Sequence, residues 1–238
     1  MTEEHARIFE DDATLVARLA DWLVDRIAAS QGRFALALSG GSTPKPLYAL
    51  LAEPARASHI DWARVHLFWG DERFVPADDP QSNYGMTRLA LIDHVPIPPA
   101  NVHPVPSDGT PESAAQRYAR ELQDYYGAPR LDPARPLFDV NLLGIGDDGH
   151  TASLFPGAPQ VEETEAWAVA VVGVKAEPRV SLTLPVLDSA AAVVFLAAGD
   201  KKHPAVARAR AHDASVPAGR VRGHGELLWY LDRDAAGS

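Results

Sequence analysis

Apolar residues recur at helical spacing between residues 11 and 29, where Leu15, Val16, Leu19, Trp22, Leu23 and Ile27 form one stripe. That stripe predicts an amphipathic helix lying on a sheet. The period then changes. Phe34-Ala35-Leu36-Ala37-Leu38 is an unbroken apolar run that ends in a Gly-Gly turn, the pattern of a strand buried on both faces. Residues 44–51 return to a helical pattern opened by Pro44. Short apolar runs at 65–69, 140–143, 168–172, 193–196 and 227–231 predict further strands. Residues 80–91, 111–126 and 204–211 predict helices between them, the first two opening with proline, whose missing N–H costs nothing there. Such alternation predicts an α/β fold of the Rossmann-like kind, with a central, mostly parallel sheet flanked by helices.

A chain of 238 residues lies within reach of one hydrophobic core, so residues 1–238 are expected to form a single domain. The proline-rich stretch 95–111 and residues 127–136 show no period and read as surface connections. No apolar run approaches the roughly 18 residues of a membrane span. The acidic, polar start Met1-Thr2-Glu3-Glu4-His5 is unlike a secretory leader. Without any cysteine, disulfides, thiolate metal sites and a cysteine nucleophile are excluded. These features predict a cytoplasmic protein without a membrane partner, as a monomer or a dimer. The net charge of -10 argues against nucleic acid, since Lys201-Lys202 and the spaced Arg208, Arg210, Arg220 and Arg222 do not offset it. The same field disfavours an anionic ligand at long range, so a phosphate site must rely on local cations and backbone N–H groups.

Three segments carry chemistry. In Leu38-Ser39-Gly40-Gly41-Ser42-Thr43-Pro44 a strand end passes through a Gly-Gly turn into a helix start, where N–H groups can face an anion and Ser42 or Thr43 can cap or bond a phosphate oxygen. A capped helix after a tight turn is the plain alternative. In Trp69-Gly70-Asp71-Glu72-Arg73-Phe74, followed by Ser82-Asn83-Tyr84, charges crowd a strand end, where ligands gather in open α/β sheets. Local pairing in a solvated loop would explain the same charges.

The third segment, residues 139–156, brings Gly144-Ile145-Gly146-Asp147-Asp148-Gly149-His150 to a strand end. An imidazole suits general acid/base work near neutrality, and Asp148 can orient it. The spacing also fits the dinucleotide pattern G-x-G-x-x-G, but two aspartates would face the pyrophosphate and Pro156 and Pro159 interrupt the helix that should follow. A hard cation held by Asp71, Asp147, Asp148 and His150 is conceivable, yet the paired-histidine spacing of metal sites is missing. No metal and no nicotinamide cofactor is expected.

Together these segments resemble the glucosamine-6-phosphate isomerase/6-phosphogluconolactonase superfamily, in four ordered blocks covering most of the chain. The blocks are residues 39–44; 70–76 with 82–84; 144–156; and 179–184 with Gly199-Asp200-Lys201-Lys202. Two positions separate the branches: deaminases carry tyrosine where Arg73 stands, and a catalytic glutamate five residues beyond the loop histidine, where this chain has Phe155. Both favour the lactonase branch, whose members hydrolyse 6-phosphoglucono-δ-lactone to 6-phosphogluconate in the oxidative pentose phosphate pathway. A deaminase-type enzyme and a non-catalytic sugar-phosphate-binding module are the alternatives. The resemblance implies His150 as general base oriented by Asp148, with Arg73 and backbone N–H groups at the oxyanion and Asp71 as the next candidate base. For the sugar phosphate it implies Gly40, Gly41, Ser42, Thr43, Asn83, Arg179 and Lys202, with Lys201 an alternative to Lys202. Lys175 is carried over too, although its segment departs from the family's proline-rich stretch.

Overall fold

Buried apolar runs organise the chain around a six-stranded sheet in the computed structural model, which describes residues 4–238. Met1, Thr2 and Glu3 of the acidic start lie outside the described residues. In chain order the elements are β1 (Glu4–Phe9), α1 (Asp12–Ala29), β2 (Phe34–Leu38), α2 (Pro44–Ala52), α3 (Pro54–Ala57), β3 (Val65–Trp69), β4 (Asp71–Arg73) and α4 (Asn83–Ala90). There follow α5 (Pro111–Tyr126), β5 (Phe138–Leu143), β6 (Ala168–Val171), β7 (Arg179–Leu182), α6 (Leu184–Asp188), β8 (Ala190–Ala197), α7 (His203–Arg210), β9 (Glu226–Asp232) and α8 (Arg233–Ala236).

The main sheet runs β1-β9-β8-β5-β2-β3 with every pair parallel, as the alternating pattern predicts. All five residues of β2 are buried, the condition of a central strand covered on both faces. Helix α1 starts where the Asp11 carboxylate accepts the Thr14 N–H at 2.7 Å, and it buries Leu15, Val16, Leu19, Leu23 and Ile27. Helix α5 is bracketed by the reciprocal Thr110–Ser113 cap and by Gly127 in the left-handed region.

Three features differ from the sequence reading. Residues 4–9, given no element in the sequence reading, form the largely exposed edge strand β1; it is held on β9 partly by Arg7, which donates to the Tyr230 hydroxyl at 2.8 Å. Residues 168–171 join β7 and β4 in a separate antiparallel sheet, β4-β7-β6, so the charged triplet 71–73 is a strand and not a loop. Helix α4 begins at Asn83 and not at Pro80, because Ser82 caps the Gly85 N–H at 2.9 Å after a turn through Asp79. Gly70 joins the two sheets: its N–H donates to Leu38 O at the end of β2, and its carbonyl accepts from Leu182 N at the end of β7, both at 2.9 Å.

Two buried tyrosines finish the strand ends at this junction. The Tyr48 hydroxyl donates to Ser39 O at 2.6 Å and accepts from Ser39 N at 3.0 Å. The Tyr118 hydroxyl donates to Trp69 O at 2.9 Å and accepts from Trp69 N at 2.8 Å. Each satisfies a backbone pair that the ladder leaves open, and burial pushes both phenols well above their usual range.

Candidate active site

Strands β2 and β5 are neighbours, but the next main-sheet strands after them, β3 and β8, lie on opposite sides. That reversal opens a crevice at the strand C-termini, the place where open α/β sheets bind ligands. A cleft of about 170 Å³ occupies it, lined by Ser39, Gly40 and Gly41 after β2 and by Gly144, Ile145 and Gly146 after β5. Asp71, Arg73, Asn83, His150, Ala152, Arg179 and Lys202 complete the wall. Eight of the residues singled out in the sequence thus meet in one place: Gly40, Gly41, Asp71, Arg73, Asn83, His150, Arg179 and Lys202.

Ser42, Thr43, Asp148 and Lys175 lie outside that wall. Ser42 and Thr43 line an adjoining hollow of about 880 Å³, whose charged residues are Glu10, Asp11, Asp12, Asp232 and Asp234. An all-acidic rim suits no phosphate. Thr43 precedes α2 without a side-chain cap, so the expected capping role is not made there. Gly40, on the cleft wall, also makes room for a neighbour: a Cβ there would collide with the Asn83 side chain. Lys202 lines the cleft and bonds Asp147 at 2.6 Å, whereas Lys201 is exposed and apart from the wall.

His150 is fixed from several directions. Its ring Nδ1 lies 2.5 Å from Asp148 Oδ1, and its backbone N–H donates to the same oxygen at 3.0 Å. An ionised carboxylate only accepts, so Nδ1 carries the proton and Nε2 is left as the acceptor. Burial raises the Asp148 carboxyl, but the His150 N–H and ring, together with the charge of Lys175, hold it below the usual carboxylate range. Gly146 passes so close to the imidazole that any Cβ there would strike Nδ1 and Cε1, which explains a glycine at this position. After Gly149 the chain makes a Thr151–Leu154 bridge, not a helix, so no helix N-terminus stands ready for a pyrophosphate.

Asp71 is 7% exposed and accepts from the Ser153 hydroxyl at 2.5 Å. Ala152, at φ 48, makes the left-handed step that precedes Ser153. Asn83 Nδ2 donates to Asp71 O at 2.9 Å, so α4 is tied directly to the cleft. Glu72 is the buried hub beneath. Its Oε1 accepts from Arg73 N and Asn83 N, and its Oε2 from Tyr84 N and Ser82 Oγ. Burial pushes the Glu72 carboxyl up to about 6 against the pull of the three backbone N–H groups.

Arg179 Nη1 stands 3.4 Å from Ser153 Oγ and 4.0 Å from Asp71 Oδ2, while Arg73 Nη1 donates to Gln81 O at 2.8 Å. Both guanidinium groups retain a buried Nε without a partner among the described residues. Burial lowers the Arg179 pKa, with Asp71 opposing. Ser39, Glu72, Gly144, Ala152 and Ser153 fall inside the sequence blocks but were given no role at the site; their place in a block was their only signal. Among the described residues no three His, Asp or Glu side chains gather as a metal ion would require, and no helix is long and apolar enough to cross a membrane.

Residues 10–229 match the family described as glucosamine-6-phosphate isomerases/6-phosphogluconolactonase. The chain belongs to this family. A Nostoc 6-phosphogluconolactonase is 41% identical over 236 residues, covering 96% of this chain and 95% of that protein. A Mycobacterium tuberculosis 6-phosphogluconolactonase is 42% identical over 241 residues, covering 96% of each. The solved 6-phosphogluconolactonase of Trypanosoma brucei superposes with a TM-score of 0.83 at 32% identity, over 100% of this chain and 99% of that one. Within the glucosamine-6-phosphate isomerase/6-phosphogluconolactonase family, the α/β architecture anticipated from the four blocks is the observed one.

Proposed function

We propose that this protein hydrolyses 6-phosphoglucono-δ-lactone to 6-phosphogluconate, without a metal or organic cofactor. The observation that carries the reading is His150, held from behind by Asp148, on a cleft wall that also holds Arg73, Arg179 and Lys202. A base beside three cations suits a reaction that consumes water and develops negative charge on an already anionic substrate.

With Nδ1–H bound to Asp148, His150 Nε2 takes a proton from water, and the resulting hydroxide adds to the lactone carbonyl. Arg73 stabilises the tetrahedral oxyanion. Collapse breaks the bond to the ring oxygen, which takes the proton back from His150, and the new carboxyl group ionises. Arg179, Lys202 and the backbone at Gly40 and Gly41 hold the phosphate, with Asn83 keeping the wall in place. Asp71, bonded to Ser153 and facing Arg179, sets the charge around that phosphate-side arginine, and Lys175 adds positive charge behind Asp148. Cytoplasmic placement follows from this reading and from the lack of cysteine.

The test is direct. Freshly prepared lactone is followed with and without the protein, subtracting spontaneous hydrolysis, and 6-phosphogluconate is assayed as product. Decay no faster than the blank would remove the reading.

A further inference from the structure

Phe155 lies five residues beyond His150, is only 3% exposed and takes no part in the cleft wall. Its ring centroid is 4.7 Å from that of His150, with the planes tilted by 39°. Two cations face the same ring: Lys175 Nζ lies 4.9 Å from the centroid and Arg179 Cζ 5.6 Å. One aromatic side chain therefore touches the imidazole and two positive groups, drawn from the 144–156 loop, the connection before β7, and β7 itself. An aromatic face attracts cations through its quadrupole, which an aliphatic side chain of similar bulk does not. The imidazole has Asp148 on Nδ1 and Gly146 against its Nδ1–Cε1 edge, and Phe155 packs on the ring as a third neighbour.

We propose that Phe155 is a positioning residue of this site: its ring fixes the His150 imidazole and seats Lys175 and Arg179 beside it. This gives Lys175, which stands outside the cleft wall, a defined place next to the Asp148–His150 pair. Arg179 has a second anchor in Asp71 and Ser153, so the ring acts on it less than on Lys175. The inference rests on the lactone-hydrolysis reading for its kinetic consequence, though not for the contacts themselves.

The experiment compares Phe155→Leu, Phe155→Tyr, Lys175→Met and the Phe155→Leu/Lys175→Met double variant. Phe155→Leu should lower kcat about tenfold with KM within about threefold, the scale of losing an aromatic wall and its cation contacts. Phe155→Tyr, which keeps the ring, should restore most of that loss. Lys175→Met should add little to Phe155→Leu, because its seat is already gone. Wild-type kcat in Phe155→Leu, failure of Phe155→Tyr to rescue, or strictly multiplicative effects would each overturn the proposal. If Phe155→Leu does not fold, Phe155→Tyr and Lys175→Met carry the comparison: a tenfold fall in kcat for Phe155→Tyr, which keeps the ring, overturns the proposal. If the wild type does not hydrolyse the lactone, that reading fails separately. The same cycle read in urea unfolding then decides: coupling of about two- to fivefold in the unfolding constant supports the seat, and none overturns it.

Discussion

Asp148 Oδ1 accepts twice from His150, from the backbone N–H at 3.0 Å and at ring Nδ1 at 2.5 Å. One carboxylate oxygen thus fixes both the turn and the tautomer of the residue two positions on, and the imidazole meets the cleft with Nε2 free to accept a proton.

Replacing His150 with asparagine should lower kcat for lactone hydrolysis by about 10²–10⁴, with KM within a few fold, as expected for loss of a positioned base. The circular dichroism spectrum should match the parent. Asp148→Asn, which removes the carboxylate that holds the ring through Nδ1, should lower kcat while leaving KM within a few fold. A variant at His150 with parental turnover would move the base elsewhere, with Asp71 examined next.

Arg179→Ala and Lys202→Ala should raise KM for the phosphorylated lactone while barely changing that for the unphosphorylated one. A charge-assisted bond to phosphate contributes about 1.5–3 kcal/mol, roughly 10- to 150-fold. In the structure Lys202 is held by Asp147, so Asp147→Asn should tighten phosphate binding modestly, read as a lower inhibition constant for inorganic phosphate. Equal losses on both lactones would take these two cations away from the phosphate.

Glu72→Gln should destabilise the fold by about 2–4 kcal/mol in urea titration. Both carboxylate oxygens of Glu72 accept from fixed donors, so the amide NH2 of glutamine must face N–H or O–H groups on one side. Loss should be accompanied by weaker substrate binding, since the same donors place Asn83 on the cleft. A variant of parental stability would show that the hub relaxes freely.

His66 offers a stability test remote from the cleft. Burial, with His103 and Arg33 adding to it, pushes its imidazole from 6.5 down to about 4. Its Nδ1 lies 3.1 Å from His103 Nε2, and His103 Nδ1 is 2.7 Å from Glu121 Oε1. Between those two values the unfolded chain binds a proton that the folded protein refuses, so the stability His66 contributes is present above 6.5 and lost as pH falls toward 4. The urea midpoint should fall between about pH 7 and about pH 4.5, and His66→Gln should fall less. Identical acid dependence in the two proteins would contradict this.

The sequence alone determined whatever depends on neighbours in the chain. The buried run 34–38, the stripe of α1, the proline that opens α5, and the turn that brings Asp148 to His150 all rest on contacts a few residues long, so periodicity and turn chemistry expose them. Tertiary structure decided the rest. Strand β1 lacks a buried apolar run, because an edge strand is specified by the β9 backbone it pairs with. Residues 168–171 are legible as a strand, but only pairing with β7 assigns them to the small antiparallel sheet. Asp71 meets Ser153 across 82 positions and Gly40 makes room for Asn83, contacts set by how two sheets and α4 pack and by no local rule. Which cations reach the cleft was settled in the same way: Lys202 stands on its wall while Lys175 rests on Phe155, because side chains far apart in sequence acquire their neighbours only when the core closes.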